Sequence, residues 1–242
     1  MSTTRTKCFQ SVFTTSGLCL LGLGMLLLCA SQERDCKQEL GVVIRKQDEV
    51  APPKGSQVYF MHTRIETEGK RQGYAKSEVK MLVGENKVVY LSTPLSYYKD
   101  AEATYTVVHP HKLITKSAGQ PKKEMELRQQ KVATLRDTIL EQCKLVACQL
   151  DDFDGKKLRK ITLMPKKESG LPIAQMIYYV DEKKQQVVKQ EIYYAAGAAL
   201  TKKTTTYLAM DFKSKQRFLP TAKDYLYENG KLRKELENYS VE

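Results

Sequence analysis

Few residue clusters in this chain have the types and spacing that catalysis or metal binding requires. His109 and His111 flank a proline, and nothing nearby supplies the further ligands of a metal site. Residues 151–155, Asp-Asp-Phe-Asp-Gly, begin like a calcium loop but lack its alternating third acid and distal Glu, so they predict a β-turn. There is also no Gly-x-Ser-x-Gly elbow, phosphate-binding glycine loop or His-Glu-x-x-His motif. We therefore expect no catalytic residue, no metal site and no cofactor.

After residue 31 the chain contains three cysteines that could form a disulfide: Cys36, Cys143 and Cys148. An exported compartment permits a disulfide, and three cysteines allow three single pairings with one thiol left over. The spacing of Cys143 and Cys148 is awkward inside one helix but feasible if a helix ends near Lys144. The pairing stays open at this stage.

Residues 1–31 predict a secretory signal peptide. Arg5 and Lys7 form a positive n-region, and Leu18–Cys29 is a 12-residue apolar h-region, which is short for a membrane-spanning helix. We expect the mature chain, residues 32–242, to be a single domain in the periplasm or cell envelope. The net charge of +12 favours anionic partners, but export makes nucleic acid a poor candidate.

Cys29 offers a second interpretation of the same segment. Leu26-Leu27-Leu28-Cys29 resembles a lipobox, whose cysteine becomes acylated. The mature chain would then be tethered to a membrane through Cys29 rather than released. Cleavage and lipidation are both compatible with the sequence.

Strand patterns fill most of the mature chain. Val58–Thr67, Glu78–Val83, Lys87–Leu91, Leu95–Tyr98 and Thr104–Val108 come first, and Leu158–Met164, Ile173–Val180, Val187–Tyr194 and Thr204–Phe212 follow. These runs are rich in β-branched and aromatic residues, and short polar turns separate them. Successive strands without intervening helices predict antiparallel meanders.

Helical patterns are few. Glu33–Val50 predicts a short helix with Leu40, Val43, Ile44 and Gln47 on one side. Glu124–Val146 predicts a longer one, within a helical insertion at residues 120–148, whose apolar stripe holds Met125, Val132, Leu135, Ile139, Cys143 and Val146. Residues 221–242 predict a C-terminal hairpin around Asn229-Gly230 that closes one edge of the sheet.

Two stretches resemble the periplasmic lipoprotein-carrier (LolA/LolB-like) family. The first is Leu163-x-Pro165-Lys166, followed by Ile173–Val180, an acidic turn at Asp181-Glu182, and Val187–Tyr194. The second is Leu95–Pro110, which is similar to the family's two strands around an Asp-Gly turn, with Ala101 in place of the Gly. The resemblance covers about Tyr59–Phe212 and rests on strand order and turn placement.

The resemblance implies an α+β fold in which a strongly curved antiparallel sheet, an incomplete barrel, wraps around one or two helices. It also implies an apolar cavity for acyl chains. Burying an acyl chain gains roughly 0.8 kcal/mol per CH₂. Candidate lining residues are Phe60, Met81, Leu163, Tyr178, Ile192, Leu208 and Met210. The family's latch arginine is not at its usual place, so Arg64 and the helical Ile139 are the candidates for a lid and its latch.

Two functions follow as hypotheses. The first is a carrier that shields the acyl chains of lipids or lipoproteins, in transport to the outer membrane. The second is an envelope sensor or assembly scaffold that uses the same curved sheet for protein contacts. The sequence does not separate these two functions. The same candidate lining residues would suit a filled core and an open cavity, because both use the same residue types.

Overall fold

Two meanders of strands meet in the middle of one sheet. The computed structural model describes residues 36–46, 58–71, 73–119, 131, 134–135, 137–214 and 219–242. The predicted signal peptide and Cys29 lie outside these residues, as does most of the N-terminal part of the helix predicted from Glu124. None of the described helices is long and apolar enough to cross a membrane.

The described elements are as follows. Residues 36–46 form helix α1, and the described residues 131, 134–135 and 137–141 lie in helix α2. The strands are β1 Val58–Gly69, β2 Gly73–Gly84, β3 Lys87–Ser92, β4 Leu95–Lys99, β5 Ala103–Val108, β6 Leu113–Ala118, β7 Cys143–Phe153, β8 Lys156–Pro165, β9 Ile173–Asp181, β10 Gln186–Tyr194, β11 Leu200–Ser214, β12 Tyr227–Glu228, β13 Lys231–Leu232 and β14 Ser240–Val241.

Twelve of these strands form one sheet in the order β14-β6-β5-β4-β3-β2-β1-β11-β10-β9-β8-β7. The first meander, β1 to β6, joins the second, β7 to β11, where β1 pairs antiparallel with β11. The predicted α+β class and large, curved, open antiparallel sheet are confirmed. Wrapping of the sheet around the helices stays a prediction.

Different segments cover the two faces of the sheet, one at each half: the helices cover one face at strands β7 to β10, and the C-terminal segment covers the other face at strands β5 and β6. Side chains directly opposite each other on antiparallel strands share a face, so the register defines two sets. The face that carries α1, here called the helix face, includes Ile161 and Tyr178 and, farther along, Met61 and Met81. The opposite face, called the tail face, includes Tyr105 and carries the C-terminal segment 219–242.

Each half therefore has its own core. On the helix face, Leu40, Val43 and Ile44 of α1 and Leu140 of α2 pack on β7 to β10, which confirms the apolar side predicted for α1. On the tail face, Ala222, Leu226 and Leu236 pack on β5 and β6. These two cores are called the helix core and the tail core.

The predicted long helix ends earlier than expected. Residues 137–141 are helical and Gln142 turns, but Cys143 and Val146 belong to β7, so the prediction of helix to Val146 is wrong. Leu135 is 60% exposed and does not lie on a buried stripe, whereas Leu140, which is not part of the predicted stripe, is buried. Pairing of β7 with β8 across the Asp154-Gly155 turn outweighs the helical spacing, because both turn residues adopt the positive φ of a tight hairpin.

The C-terminal hairpin forms at its predicted turn but not at its predicted place. Asn229 and Gly230 have φ of 51° and 79°, as a two-residue hairpin requires. Its strands β12 and β13 pair with each other in a separate sheet. The edge of the large sheet is instead extended by β14, which runs parallel to β6.

Candidate ligand-binding site

A cavity of about 400 Å³ lies between α1 and strands β8 and β9. Its volume is within the usual span of small-molecule sites. It is lined by Gln38, Glu39, Leu40, Val42, Val43, Arg159, Ile161, Val180, Glu182 and Gln185. Leu40, Val43, Ile161 and Val180 are buried, and the charged residues are the more exposed ones. The cavity thus runs from an apolar floor to a charged rim.

Helix α1 is held over this cavity by a disulfide. Cys36 in α1 and Cys148 in β7 are bonded, with their Cα atoms 6.4 Å apart. Of the three pairings that the sequence left open, this is the one that forms, and Cys143 stays a buried free thiol. Burial raises the pKa of the Cys143 thiol, so it is a poor nucleophile. Lys37 Nζ adds a 2.6 Å hydrogen bond to the Cys143 carbonyl oxygen.

Arg159 of β8 is the cation at the rim. Its Nε forms an ion pair with Oε1 of Glu182 and lies 3.9 Å from Oε2 of Glu39. Its Nη1 is 3.8 Å from the sulfur atoms of both Cys36 and Cys148. The guanidinium therefore rests on the disulfide and faces two carboxylates.

A second cation reaches the same rim from the end of α1. Lys46 Nζ donates a hydrogen bond to Oε1 of Gln185, one of the lining residues. One residue earlier in α1, Nη1 of Arg45 lies 3.8 Å from Oδ1 of Asp137 in α2. These polar contacts, the disulfide and the helix core together position α1 on the sheet.

The predicted lining residues lie outside this cavity and are not all brought together. Leu163 and Tyr178 are buried in the helix core, and Ile192 packs against it. Met81 and Met210 lie on the same face, where each is opposite Met61. Phe60 is on the tail face, and Leu208 is exposed beside the irregularity at which β11 pairs with Thr63. Their role in ligand binding stays a prediction.

The two latch candidates are also separated. Ile139 packs against the helix core from α2, as the amphipathic pattern predicts. Arg64 lies on the tail face, where its Nη2 is 3.0 Å from Oε1 of Glu78 on the neighbouring strand. The sheet therefore stands between Arg64 and the helix that it was expected to latch.

The sequence contained signals for the residues that do line the cavity. Leu40 and Val43 belong to the apolar side predicted for the first helix, and Ile161 and Val180 alternate with Leu163 and Tyr178 on the same strands. Some of these residues line the cavity and others pack in the core. The position of α1 decides which of them do so. That position is set by packing in the helix core together with a disulfide across 112 residues.

The described residues hold no group of three or more His, Cys, Asp or Glu side chains arranged for a metal ion. His109 instead contacts protein groups: its Nε2 is 2.8 Å from Ser96 Oγ and its Nδ1 is 3.0 Å from Tyr239 Oη. Asp154 and Gly155 form the β-turn predicted there.

No protein-family model matches the chain, and no curated protein matches it significantly. Among solved structures, it is similar to a putative outer membrane lipoprotein-sorting protein domain from Vibrio parahaemolyticus, with 10% identity, a TM-score of 0.30 and coverage of 72% of this chain and 92% of that one. It is also similar to a LolA superfamily protein from Nitrosomonas europaea, with 9% identity, a TM-score of 0.29 and coverage of 78% and 96%.

A further similarity is to the complex of MucA and MucB from Pseudomonas aeruginosa, with 9% identity, a TM-score of 0.39 and coverage of 76% of this chain and 61% of that one. The superfamily named for the Nitrosomonas protein is the one that the sequence resembles. At these identities and TM-scores the likeness carries no argument about function, and what this chain binds has to rest on its own residues.

Proposed function

We propose that this chain is a carrier in the periplasm or cell envelope that shields an acyl chain of a lipid or lipoprotein beneath α1. The observation that supports it is the 400 Å³ cavity, whose floor is formed by buried aliphatic residues of α1, β8 and β9. Such a floor offers an acyl chain the transfer out of water that drives its burial. Transport of lipoproteins to the outer membrane is the role that the sequence resemblance implies.

The helix face also offers a path for a longer chain. Beyond the helix core, half-buried Met61, Met81 and Tyr90 follow one another across β1, β2 and β3. Methionine side chains adapt their shape to apolar ligands. An acyl chain that extends from the cavity would meet this strip on the same face of the sheet.

A substitution that fills the cavity tests the carrier. Val42 lines the cavity and is 39% exposed, so Val42→Trp adds bulk at its mouth with little cost to folding. Val146 on β7 is comparably exposed, at 46%, and does not line the cavity, which makes Val146→Trp the matched control. Each purified variant is titrated with a fluorescent fatty-acyl probe and its melting is recorded.

We expect wild type to bind the probe saturably, with a micromolar or tighter Kd. Val42→Trp should weaken binding by about tenfold or more, which corresponds to about 1.4 kcal/mol, and Val146→Trp should leave it unchanged. Absence of saturable binding by folded wild type would contradict the carrier. Equal effects of the two tryptophans would show that the probe binds elsewhere.

A protein-contact scaffold is the second candidate, and the edge of the sheet favours it. Strand β7 is the last strand in the sheet order of the described residues, and it exposes Val146 and Leu150. Exposed edge strands with apolar side chains pair readily with other chains. A photo-crosslinking residue at position 150 should capture an envelope protein, whereas one at the equally exposed Leu135 of α2 should not. No adduct specific to position 150 would argue against the scaffold.

A further inference from the structure

We propose that the ligand of the cavity is a single-chain amphiphile with an oxyanion head, a carboxylate or a phosphate, and that this head binds Arg159 in place of Glu182. The proposal rests on the proposed function, since it assigns the polar end of the same site. Aliphatic side chains form the cavity floor, and a guanidinium lies at its rim.

Arg159 is the fixed partner at the rim. It lies within β8, opposite Val180 of β9, so its backbone is held by two neighbouring strands. Its guanidinium is in contact with both sulfur atoms of the disulfide that ties α1 to β7. A planar guanidinium held in this way can bind a carboxylate or phosphate through two parallel hydrogen bonds.

The two carboxylates are the exchangeable partners. The side chain of Glu182 is 46% exposed in the turn after β9, and that of Glu39 is 57% exposed on α1. Exposed ion pairs contribute little net free energy, because water solvates the separated charges well. Glu182 can therefore turn into solvent when a ligand oxyanion takes its place, and the guanidinium stays paired throughout.

The cations near Glu182 favour an anion at the position that its carboxylate occupies. Lys46 reaches the lining residue Gln185, and Lys183 and Lys184 occupy the same turn as Glu182. A cationic head would enter beside Arg159 and Lys46 and be repelled by both. Displacement of Glu182 by an anion leaves the net charge of the site unchanged.

Ligands that share one alkyl chain and differ in the head test the proposal. Hexadecanoate, hexadecyl phosphate, hexadecanol and hexadecyltrimethylammonium each compete against the fluorescent acyl probe at about pH 8, where the carboxylate is ionised. Acetate and inorganic phosphate serve as heads without a chain. Wild type should prefer both oxyanions over the alcohol by about tenfold, and the ammonium should bind most weakly. Acetate and phosphate alone should not compete.

Variants assign this preference to Arg159. Arg159→Gln should still bind hexadecanol, and it should bind hexadecanoate no better than hexadecanol. Lys160→Gln is the matched control, since Lys160 is the next residue of β8, loses the same charge, and has a side-chain exposure of 27% against 25% for Arg159. It lies on the tail face beside Asp151 and should keep the wild-type preference.

Glu182→Gln provides a gain that misfolding cannot imitate. Removal of the competing carboxylate should increase the affinity for hexadecanoate severalfold and leave the affinity for hexadecanol unchanged. Equal binding of alcohol and carboxylate by wild type, equal effects of the Arg159 and Lys160 variants, or tightest binding of the ammonium would each overturn the proposal while the carrier stands. If hexadecanol too fails to compete, the carrier itself has failed.

Discussion

Cys36 of α1 and Cys148 of β7 form a disulfide that closes a loop of 112 residues. The bond ties the first described helix to the last strand of the sheet order. Arg159 contacts both of its sulfur atoms from the neighbouring strand. The same covalent link therefore holds the roof of the cavity and supports the cation at its rim.

Loss of this bond should destabilise the protein. Replacing Cys36 and Cys148 by serine frees the unfolded chain of a long cross-link, which costs about 2–5 kcal/mol of unfolding free energy. Denaturant titration of the variant and of wild type measures the difference. Cys143→Ser is the control, although it buries a hydroxyl and costs something of its own. A double variant as stable as wild type would show that α1 is held by packing alone.

Peptide mapping of the protein can test the disulfide pairing itself. Non-reducing digestion should give one cross-linked peptide pair that contains Cys36 and Cys148. Cys143 is fully buried and the pKa of its thiol is raised by burial, so an alkylating reagent should modify it only after unfolding. Modification of Cys143 in the folded protein, or a cross-linked peptide that contains it, would contradict the assigned pairing.

Ile139 should be important for the attachment of α2. Ile139 packs against the helix core, so Ile139→Asp places a charge among apolar side chains and should cost several kcal/mol. Leu135→Asp, on the exposed side of the same helix, should change stability by no more than about 0.5 kcal/mol. Thermal melting of both variants gives the comparison. Equal shifts would place the two residues in the same environment.

Asp100 should tie the C-terminal segment to the sheet. Its Oδ2 accepts a 2.7 Å hydrogen bond from the Ala222 backbone N–H, and its Oδ1 accepts from the N–H groups of Glu102 and Ala103. Asp100→Asn replaces one acceptor by a donor that faces an N–H, at a cost of about 1–3 kcal/mol. Amide hydrogen exchange in residues 219–242 should rise. Asp224→Asn is the control, because the Asp224 carboxylate accepts a hydrogen bond from the backbone N–H of its near neighbour Thr221. Equal exchange rates in the two variants would refute the role of Asp100.

Glu191 should make the unfolding free energy depend on pH in the acid range. Burial alone would raise the pKa of this carboxyl, but Lys189 at 2.9 Å, with Lys202 at 3.5 Å, outweighs it and holds the pKa below its ordinary value of 4.5. The ionised carboxylate stabilises the fold above pH 4.5, and this contribution is lost as pH falls from 4.5 through the lower folded value. Glu191→Gln should flatten the fall in unfolding free energy over that window. Identical pH profiles would mean that the carboxylate is not coupled to folding.

The sequence by itself determined most of the long strands and the two hairpin turns at residues 154–155 and 229–230. Alternation and β-branched residues predicted β1 to β5 and β8 to β11, because a strand with one covered face shows a period of two. Asn229-Gly230 and the turn at residues 154–155 were predicted because few residues tolerate positive φ. The buried side of α1 followed from helical spacing. All of these are local properties, set within a few residues.

Tertiary structure decided the rest, because it depends on contacts between residues far apart in the chain. Residues 143–146 have helical spacing yet form a strand, since β8 supplies their hydrogen-bond partners. The register between strands, not their pattern, placed Phe60 and Arg64 on the tail face, away from the other candidates. Pairing of Cys36 with Cys148 positioned α1, and with it the gap between Leu40, Ile161 and Val180. A one-dimensional pattern shows that a residue is apolar, whereas the elements packed around it decide whether it fills a core or lines a cavity.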